Sequence, residues 1–83
     1  MRILYFAKLK QILDKSEDFY EITGDKEKII EVINNLKKRD LKYSQAFDKL
    51  KNLQFAVNCQ YVDSQYLVKN DDELAMFPPV TGG

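Results

Sequence analysis

The chain has no histidine, no tryptophan and a single cysteine, Cys59, in 83 residues. Without histidine there is no Ser-His-Asp or Cys-His arrangement and no imidazole to hold a metal. One cysteine forms neither an internal disulfide nor a cysteine-rich zinc site. Glycine is confined to Gly24, Gly82 and Gly83, which leaves no glycine-rich loop to cradle a phosphate. The thirteen basic and thirteen acidic residues cancel, so no bulk field draws the chain to nucleic acid or an anionic membrane. No apolar run reaches the length of a membrane span. Met1-Arg2-Ile3-Leu4-Tyr5-Phe6 lacks the long apolar region and cleavage site of a signal peptide. These absences point to a cytoplasmic domain that is not an enzyme by itself and binds no metal or cofactor of its own.

What is present is an ordinary globular balance, 45% apolar and 31% charged, near the lower size limit for a chain that folds alone. Residues 2–6 are strand formers, with Ile3 and Tyr5 expected on one face and Leu4 and Phe6 on the other. Ala7 to Leu13 places Leu9, Ile12 and Leu13 at helical spacing. Asp14 to Asp18 reads as a polar turn, and Phe19 to Thr23 as a second strand pairing with the first in a hairpin-like ribbon. Gly24-Asp25 opens the main helix, with Asp25 as N-cap and Glu27 in the first turn. Its apolar face is Ile29, Ile30, Ile33 and Leu36. Lys37-Lys38-Arg39 either complements the dipole at the helix end or forms a nucleic-acid patch; no aromatic residue interleaves it.

Asp40 to Asn52 is read as a connection with a short helical piece, since Ala46, Phe47 and Leu50 share a face. Leu53 to Val57 is a strand, Asn58-Cys59-Gln60 a break, and Tyr61-Val62 a short strand or bridge. Asp63 to Asp72 is polar and turn-rich around Tyr66-Leu67-Val68. Glu73 to Phe77 is the last strand, ended by Pro78, which cannot donate to a ladder. The order predicts an α+β domain, a mixed sheet with one main helix packed on one face. The other face is then open. Phe6, Tyr61 and Phe77 either form an exposed apolar patch there, marking a partner surface, or complete a small core.

The ending Phe77-Pro78-Pro79-Val80-Thr81-Gly82-Gly83 is unlike a fraying tail. It is apolar, then stiffened by two prolines, then stripped of side chains. Proline fixes φ beforehand and lowers the entropy lost on threading into a channel. Glycine at both last positions leaves the terminal carbonyl unobstructed. Extended at about 3.1 Å per residue, Pro78 to Gly83 would reach roughly 19 Å. The division expected is a domain over 1–77 and a flexible delivery segment over 78–83, with Gly83 as the reactive group.

Leu4-Tyr5-Phe6-Ala7 followed by Leu9-Lys10 and Ile12-Leu13, then Leu53, Ala56-Val57-Asn58 and Tyr61-Val62, and finally Asp72 to Gly83, carry a resemblance. Together they are similar to the small, sulfur-carrier subunits of molybdopterin synthase, in the ubiquitin-like β-grasp group that includes the thiamine-pathway carrier. A terminal Gly-Gly is common to all ubiquitin-like proteins; the Phe-Pro-Pro-Val-Thr-Gly-Gly ending joined to Asp-Glu-Leu-Ala and Ala-Val-Asn is selective. Asp71 departs from the family, which commonly has Gly before the Asp-Glu pair; a turn needing φ > 0 there would suit Asp less well.

The resemblance implies a cycle. An ATP-dependent, ubiquitin-activating-like adenylyltransferase adenylates Gly83, and a sulfur donor protein converts it to a thiocarboxylate. The large synthase subunit, which binds the pterin substrate, uses two such sulfurs to build the molybdopterin dithiolene from cyclic pyranopterin monophosphate. The implied assembly is a heterotetramer of two small and two large subunits. Pro78, Pro79, Val80, Thr81 and Gly82 would thread into the large subunit, and Phe6, Lys10, Tyr61 and Phe77 would dock on it, although Lys10 reads equally as a solvated helix lysine. Cys59 is expected to be a partly buried packing residue in preference to a sulfur relay. The same tail permits conjugation to lysines as a protein modifier, or sulfur delivery to the thiamine thiazole.

Overall fold

The computed structural model describes residues 1–79 of the chain. The first strand, β1 (Arg2–Tyr5), buries Ile3 and Tyr5 and leaves Leu4 half-buried on its other side. Alternation along an extended backbone accounts for this split. The helix α1 (Ala7–Leu13) follows at once, with Leu9 and Leu13 buried. Ala7 holds φ at +54°, a left-handed conformation that costs a residue with a Cβ about 1–2 kcal/mol.

The second strand, β2 (Glu17–Phe19), pairs antiparallel with β1, as expected, but it begins earlier than the pattern indicated. Glu17 and Asp18, assigned to a turn, are strand residues, and the chain leaves the ladder past Tyr20, which still exchanges backbone hydrogen bonds with Met1. Tyr20 and Ile22 still alternate inward. The Ile22 amide, however, goes to the Asn70 side chain, and that of Thr23 to the Glu27 carboxylate. The alternation is that of a strand; the hydrogen bonds are those of a pinned loop.

The main helix also starts later. Glu27–Lys28 is a short strand, β3, paired with β6 (Leu67–Val68), and the helix α2 runs Ile29–Arg39. Asp25 therefore caps nothing. The first helical amides are satisfied by backbone instead: Ile29 N–H donates to the Tyr66 carbonyl and Ile30 N–H to that of Ser64, removing orphan donors that a side-chain cap would otherwise serve. Glu27, expected in the first turn, is buried and accepts from Tyr20 Oη, Thr23 N–H and, at 3.4 Å, Asn35 Nδ2. Glu31 takes the place of the first-turn acid. The buried face is Ile29, Val32, Ile33 and Leu36, with Ile30 turned outward, because i, i+3, i+4 and i+7 define the stripe.

A third helix, α3 (Leu41–Lys49), replaces the expected short helical piece. Asp40 caps it, its carboxylate accepting from Lys42 N–H at 3.0 Å, and Tyr43, Ala46 and Phe47 face inward. The strands β4 (Gln54–Val57), β5 (Gln60–Val62) and β7 (Glu73–Phe77) complete a five-stranded sheet in the order β2-β1-β7-β4-β5. The central pair β1–β7 is parallel and the others antiparallel. The core, which includes Ile3, Tyr5, Leu36, Leu74 and Met76, lies on the side of the sheet facing the helices. This is the α+β architecture, a mixed sheet with its helical layer on one face, that the element pattern and the resemblance both imply. No helix among the described residues is long and apolar enough to cross a membrane.

Candidate docking face and tail root

Strand register places a specific set of side chains on the face away from the helices. Leu4 lies beside Ala75, Ala75 beside Ala56, and Ala56 beside Tyr61. Partnered residues in a sheet share a face, so these four form one row across four strands. Two alanines make its floor shallow. A second row holds Phe77 opposite Gln54. Phe6 continues the β1 register by one residue, its amide donating to the Met76 carbonyl at 3.2 Å. The extended backbone of Phe6 (φ −128°, ψ 156°) sends its side chain opposite to that of Tyr5, onto this open face.

Tyr61 is 77% exposed and Phe6 47%. The Tyr61 ring meets Phe77 edge-on, with centroids 5.9 Å apart, the favoured arrangement for two quadrupoles. Phe77, Pro78 and Pro79 are half-buried. Three aromatic side chains thus surround the point where the chain leaves β7. Phe6, Tyr61 and Phe77 belong to an exposed apolar patch and not to the core. Lys10 is exposed on α1, one turn beyond Phe6, and its amide donates to the Phe6 carbonyl. Val80, Thr81, Gly82 and Gly83 lie outside the described residues.

The far end of the same face is charged. Arg2 bridges Glu17 at 2.7 Å and Glu73 at 3.2 Å, and its hydrogen bond to Glu17 raises the guanidinium pKa further. Exposed Phe19 stands opposite Arg2. The apolar end, by contrast, has no ion pair among the described residues, and a partner settling there strips water mainly from hydrocarbon.

Three other assignments are resolved by position. Cys59 is exposed, contrary to the expectation of a packing residue. It and Asn58 form a two-residue turn between β4 and β5, with φ of 70° and 50°, and the second turn residue points to solvent. That turn follows Val57, whereas the tail root lies beside Gln54 at the other end of β4. Asp71 is not among the described residues with positive φ, so the departure from glycine carries no strain. The basic cluster is partly consumed internally, since Lys37 pairs with Asp48 at 2.7 Å and Arg39 lies over the Tyr20 ring.

Sequence reasoning undervalued Asn58 and Asp72. Asn58 Nδ2 donates to Asp72 Oδ1, Asn58 Oδ1 accepts from Glu73 N–H, and Asn58 N–H donates to the Glu73 carbonyl. Asp72 Oδ2 accepts from Lys69 N–H. This latch ties the β4–β5 turn to the start of β7 and thereby sets the register that puts Phe77 at the tail root. An asparagine directly after a strand, three residues before an aromatic, is the signal that marked it. Among the described residues there is no group of three or more His, Cys, Asp or Glu able to hold a metal.

A mixed five-stranded sheet in the order β2-β1-β7-β4-β5, with its helices on one face, defines a ubiquitin-like β-grasp protein. SAMP1 of Haloferax volcanii superposes with a TM-score of 0.80 at 22% identity, over 100% of this chain and 98% of that one, a likeness of fold. The ThiS family model matches residues 3–83, and the chain belongs to that family. Among curated relatives, the molybdopterin synthase sulfur carrier subunit of Dictyostelium discoideum is 33% identical, over 99% of this chain and 94% of its own. The protein of the same name from Haemophilus influenzae is 32% identical, over 100% and 99%.

Proposed function

We propose that this chain is the sulfur carrier of a molybdopterin synthase and that its reactive atom is the terminal carbonyl carbon of Gly83. The observation that carries this is the full-length similarity to two molybdopterin synthase sulfur carrier subunits, read together with the exposed aromatic side chains beside the end of β7. The domain then holds and presents, and the chemistry happens at the end of residues 78–83.

Each step places a demand on the tail. A carboxylate is a poor electrophile, so its oxygen first displaces pyrophosphate from ATP on the activating enzyme, giving an acyl adenylate. A sulfur donor protein supplies sulfide-level sulfur, which attacks the acyl carbon and displaces AMP, leaving a thiocarboxylate. The large subunit receives Pro78 to Gly83 in its active site, where the sulfur bonds to a carbon of the pterin precursor in place of an oxygen substituent. Water then cleaves the acyl–sulfur bond, leaving the sulfur on the pterin and Gly83 as a carboxylate. Two charged carriers are consumed successively per dithiolene, and the assembly proposed is a heterotetramer of two small and two large subunits. Phe6, Tyr61 and Phe77 seat the domain, with Lys10 at the margin, so that the threaded residues enter at a fixed angle.

The test is reconstitution. Chain isolated from cells containing the activating enzyme should show, by intact mass, a fraction with one oxygen replaced by sulfur. That fraction, with purified large subunit and pterin precursor, should yield molybdopterin. Deleting Gly83 should abolish both; sulfur transfer that survives the deletion overturns the proposal. Formation of isopeptide-linked conjugates in place of molybdopterin would assign the chain to protein modification, and formation of the thiamine thiazole would assign it to that pathway.

A further inference from the structure

The two edges of the sheet are unequal. At β2 the outer strand carries Glu17, paired with Arg2, and follows the exposed Lys15, the kind of charge that keeps an edge from recruiting another strand. At β5 the edge reads Gln60-Tyr61-Val62, with no charge before Asp63. A groove lined by Leu53, Phe55, Val62, Asp63 and Ser64 runs beside it.

Register decides which backbone groups face outward there. A two-residue turn makes its flanking residues, Val57 and Gln60, a pair that exchanges hydrogen bonds. Phe55 and Val62 are then the next bonded pair, and Ala56 and Tyr61 the unbonded pair between them. Ala56 turns its amide and carbonyl to β7. Tyr61 turns its own out of the sheet, and no backbone partner meets them among the described residues. The most exposed aromatic of the docking patch therefore also carries the unsatisfied donor and acceptor of the sheet edge.

We propose that the outer edge of β5 accepts an extended segment of the protein that receives the tail, adding it as a sixth strand hydrogen-bonded at Tyr61. This rests on the sulfur-carrier reading. The edge is continuous with the patch formed by Phe6, Tyr61 and Phe77, so a partner seated over the tail root reaches both at once. A second copy paired edge to edge would cover about three residues a side, well short of the roughly 800 Å² per partner that stable complexes bury. The fitting segment presents an apolar side chain above the Tyr61 and Phe77 rings and a cationic one toward Asp63. It has no proline at the residue facing Tyr61, because that residue must donate to the Tyr61 carbonyl.

Amide hydrogen exchange on the full chain, free and saturated with the large synthase subunit, tests this. In the free chain the Gln60 and Val62 amides should be protected and the Tyr61 amide fast; in the complex Tyr61 should slow by about tenfold or more. A complex that forms while the Tyr61 amide exchanges as in the free chain overturns the strand addition and leaves the sulfur-carrier reading standing. Failure to form any complex overturns both. Tyr61 protection that rises with concentration of the free chain assigns the edge to a second copy and overturns the choice of occupant. Two variants separate ring from backbone: Tyr61→Val keeps the outward amide, and Tyr61→Pro removes it without touching the two bonded pairs. Tyr61→Pro should bind about two- to tenfold more weakly than Tyr61→Val, the range expected for one hydrogen bond. Equal affinities of two folded variants overturn the proposal, and the exchange measurement decides it if Tyr61→Pro does not fold.

Discussion

Asn58 occupies a left-handed backbone position, φ 50°, that asparagine tolerates better than most residues because its short side chain bonds locally. Its amide does so with Asp72 and Glu73. Burial alone would push the Asp72 carboxyl up, but the Lys69 N–H, the Asn58 amide and the Lys69 ammonium outweigh it and hold the pKa below the ordinary 3.8. A depressed folded pKa means that the unfolded chain takes up the proton first. The stabilisation is therefore complete above pH 3.8 and lost as pH falls below it toward the folded value. Replacing Asp72 by Asn should cost about 1–3 kcal/mol at neutral pH, since the part-buried hydrogen bonds from Asn58 and Lys69 lose a charged acceptor. Urea unfolding of both proteins should show the difference shrinking below pH 3.8; a gap unchanged down to pH 3 would mean that the carboxylate charge is irrelevant. Residue types were legible in the sequence but their partners were not. Asn58 and Asp72 are 14 residues apart, and nothing local pairs them. Cys59 failed as a packing residue for a similar reason: hydrophobicity argues for burial, whereas turn geometry, set by two consecutive positive φ values, turned it to solvent.

At the scale of elements, the strands β1, β4 and β7 and the helix α1 follow from alternation and helical spacing, because each has one face buried along its whole length. The misplacements share one cause. Where tertiary partners satisfy the backbone, local start signals lose their meaning. Asp25 looked like an N-cap, yet the carbonyls of Ser64 and Tyr66 cap α2 from 35 or so residues away, and Glu27 was drawn inward by Tyr20 and Thr23. Asp40 is the contrasting case, a local cap that operates. Its carboxylate and carbonyl accept the amides of Lys42 and Tyr43, and α3 runs nine residues from it. Asp40→Ala should destabilise the protein by about 1 kcal/mol, and Asp40→Ser should recover most of that. For a domain of this size 1 kcal/mol corresponds to roughly 4–8 °C in Tm. A thermal scan in which Asp40→Ala melts with the parent would show that α3 is held by Tyr43, Ala46 and Phe47 alone. Asp25→Ala, by the same logic, should change Tm little.

For the molecule as a whole, the sheet separates two tasks by the parity of residue number along β7. Leu74 and Met76 point into the core, fully buried, and Ala75 and Phe77 lie on the open face beside Leu4, Ala56 and Tyr61. The split was readable in principle from alternation. What sequence could not decide was whether Phe6, Tyr61 and Phe77 filled a core or covered a face, because that depends on the helices all packing to one side. With that settled, neighbouring residues should behave oppositely. Phe77→Asp and Tyr61→Asp put a carboxylate where water already reaches, so they should remain folded by near-UV circular dichroism while binding to the large subunit falls by tenfold or more. Met76→Asp buries a carboxylate with no partner, at a cost of several kcal/mol, close to the whole stability of a small domain, and should not fold. Phe6→Asp belongs with the first group, because its side chain shares the open face and its backbone link to Met76 survives the substitution. If Phe77→Asp and Phe6→Asp unfold the domain as Met76→Asp does, the aromatic residues are structural, and the tail root has no docking face around it.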